Sequence, residues 1–181
     1  MDCDATRLEG NDVNDQELLA KFVETFAVAD YDIYGAPELQ PCAVPTPAAE
    51  IAELADTLPG ELPRLYERLV LCYRWPHVKT PVVYLVPNPP GALSDCLFKY
   101  MRQDPHLWKE LSPAGYIPFG RPTDDSYDPV CFDTSRRLRD GDCPVVRIDH
   151  EEILIHYRIR VVEEMADSFR QLVCRAVEAK L

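Results

Sequence analysis

The chain has 181 residues, 46% of them apolar, with 31 acidic against 19 basic side chains and a formal net charge of −12. That length holds one domain plus an appendage around a real core, and the acidic excess disfavours unassisted nucleic-acid binding while steering basic partners inward. Seven cysteines without a C-x-x-C pair exclude a zinc ribbon or redox dithiol. The acidic start lacks an apolar leader and no run approaches the ~18 apolar residues of a membrane span, so a soluble, reduced, cytoplasmic protein is expected.

Residues 1–40 carry ten acidic and two basic side chains, which is −8 of the total charge. Within them Leu18, Leu19, Phe22, Val23 and Phe26 recur at helical spacing over Asp15 to Ala29, with Asn14 or Asp15 as N-cap. This acidic amphipathic helix either packs on the main domain or serves as a docking arm. Pro37, Pro41, Pro45 and Pro47 then mark a linker, so residues 1–45 form an acidic helix plus linker and 46–181 the main domain.

Thr46-Pro47 opens a second helix with Ile51, Leu54, Ala55 and Leu58 on one face. Leu62, Leu65, Tyr66, Leu69, Val70 and Tyr73 make a third, ending by Trp75-Pro76. Pro81 to Val86 reads as a strand, and the prolines up to Pro90-Gly91 as a rigid turn. Leu93, Leu97, Phe98 and Met101 indicate one short helix, Leu107, Trp108 and Leu111 another.

From Gly115 the period changes. Tyr116, Ile117 and Phe119 form one strand-length run, Val130, Cys131 and Phe132 a second, and Val145, Val146 and Ile148 a third, preceded by an Asp140-Gly141 tight turn. The short loops require neighbouring antiparallel strands. Ile153, Ile155, Tyr157, Ile159 and Val161 alternate as a further strand. Val162, Met165, Ala166, Phe169, Leu172, Val173, Ala176 and Val177 then follow helical spacing, and this last helix must cover the sheet. Cys72, Cys96, Cys131 and Cys174 sit in apolar runs as small core residues.

The order of a Leu58-Pro59 step between two helices, then Tyr-Ile-Pro-Phe-Gly at 116–120, Tyr-Asp-Pro-Val-Cys-Phe-Asp at 127–133, Cys-Pro-Val-Val-Arg-Ile-Asp-His-Glu-Glu at 143–152 and Ser168-Phe169 near the last helix resembles the SUKH superfamily. That family holds the domain of the fungal cell-wall assembly regulator and many bacterial relatives. The likeness covers about residues 46–178. It departs where the family's Asn-Gly is replaced by Cys72-Tyr73-Arg74-Trp75-Pro76, and in the long segment Pro87 to Pro113. The resemblance implies an α+β fold, a mostly antiparallel sheet of about five to six strands packed against helices. It further implies a non-enzymatic protein-binding domain, most concretely an immunity protein neutralising a basic, nuclease-type toxin. An intracellular regulatory or scaffold module is the alternative.

The loop Arg121 to Asp128 is the candidate binding element. Asp124, Asp125 and Asp128 offer charge-assisted bonds to arginine or lysine, and Tyr127 offers contact area; ordinary turn chemistry accounts for the same residues without a partner. Asp149 and Glu151, beside His150 and Glu152, extend the acidic surface. Asp149 with His150 is also the densest candidate for general base catalysis by an uncharacterised hydrolase, although neighbours on a strand end point in different directions. His150 and His156 on one strand stand about 20 Å apart, too far for one ion. Cys131 in its apolar run reads as core rather than nucleophile. No cofactor or metal is expected, and the chain is expected to be a monomer or homodimer.

Overall fold

The computed structural model describes residues 5–26, 40–41, 48–76, 78–89 and 97–180. The expected linker prolines 37, 45 and 47, the Thr46-Pro47 helix start, the Pro90-Gly91 turn, Leu93, and Cys3, Cys42 and Cys96 lie outside the described residues, as do the side chains of Ile51, Leu54 and Ala55.

The architecture is α+β. Strands β3 (Val78–Lys79), β4 (Tyr84–Leu85), β5 (Tyr116–Arg121), β6 (Val130–Asp133), β7 (Val145–Ile148) and β8 (Val161–Ala166) form an open antiparallel sheet in sequential order. Two further short strands, β1 (Gln40–Pro41) and β2 (Tyr73–Arg74), pair separately. The β5–β6–β7 meander follows from the short turns anticipated above. The β6–β7 turn closes at Gly141, whose φ of 84° favours a residue without a Cβ. Gly120 serves the other flank: a Cβ there would stand 2.7 Å from the Tyr84 carbonyl, so its absence lets β4 approach β5.

Side chains alternate across the sheet and divide the interior in two. On one face Ile117, Phe119, Val130, Phe132 and Val145 meet α1 (Ala5–Phe26), α3 (Arg64–Cys72) and α7 (Phe169–Lys180). Tyr66 of α3 is the hub, its ring 5.1–5.6 Å from Phe119, Phe132 and Phe169, while Phe119 and Phe132 stack at 3.9 Å. Such edge and offset contacts add about 0.5–1.5 kcal/mol per pair beyond burial. Leu19, Phe22 and Phe26 of α1 belong to this same cluster. Its Asp15, expected as a cap, lies mid-helix and pairs with Arg170 of α7. On the opposite face Cys131, Val146 and Ile148 are covered by Leu107 and Leu111 of α5 (Pro105–Leu111) and Ile153 of α6 (His150–His156). The smaller α2 (Ala48–Ala55) and α4 (Leu97–Met101) complete the helices.

Two expected boundaries are corrected. The alternation from Ile153 to Val161 is a helix and a turn, not a strand. Asp149 accepts from Glu152 N at 3.0 Å and starts α6, and only Ile153 of the alternating set is buried in it. The helical spacing from Val162 to Ala166 instead belongs to β8, because pairing with β7 overrides the local pattern. The last helix begins at Phe169, where Ser168 Oγ accepts from Gln171 N and Asp142 accepts from the N–H groups of Phe169 and Arg170 at 3.0 and 3.1 Å. Cysteine placement also differs: Cys131 and Cys143 are buried, whereas Cys72 is exposed and Cys174 half-buried. Burial pushes the Cys131 thiol well above its usual range and the Cys143 thiol up to about 11, so both stay protonated packing groups.

Candidate functional site

The loop from Arg121 to Pro129 joins β5 to β6, and the next strand supplies the cation that organises it. Arg147 stands in the V-V-R-I run of β7, where β-pairing places Val145 and Arg147 on one face and Val146 and Ile148 on the other. Its Nε donates to Asp128 Oδ2 at 2.7 Å, one terminal nitrogen to Asp124 Oδ2 at 2.7 Å, and the other to Ser126 Oγ at 3.1 Å. The loop is closed further from within, since Asp124 Oδ1 accepts from Ser126 N and Ser126 Oγ from Asp128 N.

Asp128 is the junction of loop and helix. Its Oδ1 accepts from His150 N at 3.1 Å and lies 2.7 Å from His150 Nδ1, so two carboxylates, Asp128 and Asp149, serve the first turn of α6. Burial acts to raise the Asp128 pKa, but the hydrogen bonds from His150 and Arg147 outweigh it and hold the carboxyl down at about 2. Asp124 is lowered by hydrogen bonds from Arg147 and Ser126, Asp149 by those from Arg160 and the α6 backbone.

The expected binding residues therefore separate into two groups. Asp124, Asp128 and Asp149 are brought together but are engaged by Arg147, Arg160 and the backbone N–H of His150. Asp125, Tyr127 and Glu151 face solvent. Asp125 occupies the loop tip at φ 62°, and Tyr127 is 72% exposed with its ring 6.0 Å from that of His150 and 5.9 Å from the Arg121 guanidinium carbon. Arg121 also donates to the Tyr127 carbonyl, so the exposed aromatic sits on a braced backbone.

The carboxylate that meets His150 is Asp128, not the sequence neighbour Asp149, whose oxygens face Glu152 N and Arg160. Ligand atoms of Asp128, Asp149 and His150 lie within 4.8 Å of one another. Two arginines and the helix N–H groups already balance those carboxylates, which makes the set an ion-pair network. His150 and His156 share a helix, so their separation along its axis is about 9 Å rather than the strand distance expected. A larger groove of about 670 Å³ lies elsewhere, walled by Leu58, Leu62, Arg64, Arg68, Arg137 and Asp140, and none of the expected residues lines it.

Sequence reasoning missed Arg147, although a lone cation inside a β-branched run next to an acidic loop is the available signal. It also missed the exposed side chains of α6, because the alternating pattern pointed to a strand.

No protein-family model matches the chain, and no curated protein matches it. No helix among the described residues is long and apolar enough to cross a membrane.

Proposed function

We propose that this chain is a non-enzymatic protein-binding domain of SUKH type, acting in the cytoplasm as a bacterial immunity protein that covers the charged cleft of a basic nuclease toxin. The observation that carries the reading is Tyr127: a large aromatic, 72% exposed, on a loop pinned by Arg147 and His150. An aromatic anchor held rigid before binding loses little entropy on docking, and such residues dominate interface energetics. The acidic surface supplies attraction and a fast encounter with a cationic partner. The antiparallel sheet with helices on it and the order of motifs support the family assignment.

Co-expression with the toxin encoded beside this chain tests the reading. Growth should be restored by the chain and not by an unrelated acidic protein. Absence of rescue, or a neighbourhood without any toxin, sets the immunity role aside in favour of a regulatory or scaffold module.

A further inference from the structure

We infer that the docking face is the solvent side of α6 with the turn after it, and that its occupant is a basic protein surface presenting an apolar anchor. This rests on the protein-binding reading above and extends the interface from Tyr127 of the acidic loop onto α6.

Of the eight large apolar side chains exposed among the described residues, six are Tyr127, Leu154, Ile155, Tyr157, Val161 and Val162. Five of these come from one helix–turn–strand segment that folds back on itself, with Asp149 N donating to the Arg160 carbonyl at 2.9 Å. Tyr127 joins the patch at the start of α6 through His150. Single exposed apolar residues need no explanation, whereas a cluster of this kind on an otherwise strongly charged protein marks an interaction site.

Tyr157 adds a second, independent observation. It ends α6 in the left-handed region, at φ 54° and ψ 36°, and is 72% exposed. Helices ordinarily place Gly or Asn there, because a Cβ is strained in that conformation. A tyrosine in that position gains no burial to offset the strain, so stability does not account for its presence; contact with another molecule does.

Charge decides between occupants. Arg158 and Arg160 pair with Glu152 and Asp149, while Glu151 on α6 and Asp125 beside Tyr127 face solvent without a contact ion pair among the described residues, Asp125 lying within electrostatic reach of Lys79. A second copy would bring the same unpaired acids and another −12 of net charge against this face. A cationic partner meets them with complementary sign.

The test pans a phage-displayed library of random peptides on the full chain and measures the enriched peptides against variants. Enriched peptides should carry Lys or Arg around an aromatic or aliphatic residue, and Ile155→Asp should weaken them at least about tenfold. Tyr157→Gly should do the same while raising Tm by about 2–4 °C, which separates lost contact from lost folding. No enrichment, peptides without basic bias, or binding unchanged by both variants overturns the inference. The growth assay keeps the two readings apart. Rescue that survives Ile155→Asp and Tyr157→Gly removes this face and leaves the immunity role; peptide binding lost in both variants without growth rescue removes the immunity role and leaves the face.

Discussion

The guanidinium of Arg147 on β7 lies 2.7 Å from the carboxylate of Asp128, two strands along from where the loop bearing that aspartate departs β5. Because the same arginine holds Asp124 and Ser126, one residue fixes the shape of the loop. Arg147→Ala should leave Asp128 short of partners and cost about 1–3 kcal/mol. Chemical denaturation reads the loss, and backbone amide exchange of Ser126 to Asp128 should accelerate. Unchanged exchange would show that the loop holds its form without Arg147.

The depressed Asp128 carboxyl sets an acid limit. A group whose folded pKa lies below its unfolded value stabilises the fold above the unfolded pKa and ceases to do so as pH falls through the folded one. For Asp128 that window runs from the ordinary 3.8 down to about 2. Discounted for solvent screening, the contribution is about 1 kcal/mol. Asp128→Asn should flatten the fall in stability between pH 4 and 2, measured by urea unfolding at each pH. An identical slope in the variant would place the acid sensitivity elsewhere.

Asp142 ties the β6–β7 turn to the last helix, accepting from Cys143 N at 2.7 Å and from Phe169 N at 3.0 Å. The carboxylate also complements the positive end of α7. Asp142→Ala removes these bonds from a buried position, so a loss of about 1–2 kcal/mol is expected by thermal unfolding. Asp140→Ala, a neighbour outside this cap, should cost clearly less.

Tyr66 carries the one polar atom in the aromatic hub. Its hydroxyl is buried without a hydrogen-bond partner among the described residues, and burial drives its pKa far above the usual tyrosine range. Tyr66→Phe keeps the ring contacts and removes the unpaired group, so it should be neutral or stabilise by about 1 kcal/mol in denaturant titration. A marked destabilisation would reveal a bonded hydroxyl.

Much of the fold was legible because burial and local pattern agree. Tyr116 to Phe119, Val130 to Phe132 and Val145 to Ile148 are strands by composition and by pairing, and Leu65, Tyr66, Leu69 and Val70 of the expected stripe are buried on α3, while Leu62 precedes that helix and Tyr73 belongs to β2. Reading failed where two patterns overlapped. Ile153 and Ile155 satisfy alternation, yet the cap at Asp149 starts a helix that buries the first and exposes the second. Met165 and Ala166 satisfy a helix, yet they lie in β8 beside β7. At the candidate site, the sequence marked a turn-rich loop held between two strands, and the fold has one there. The sequence left hidden that Asp124 and Asp128 answer to Arg147, because that pairing depends on which residues of β6 and β7 stand opposite, and register is a tertiary property.

The central claim, that of the proposed function, is recognition through braced, exposed side chains, and a calorimetric titration of the proposed partner, a basic nuclease domain, with wild type and Tyr127→Ala addresses it most directly. Since Tyr127 is exposed, its removal should leave Tm essentially unchanged. The account predicts tight binding by wild type and a loss of about 2 kcal/mol or more in the variant. Equal affinity for both proteins, or no binding by wild type, would contradict it.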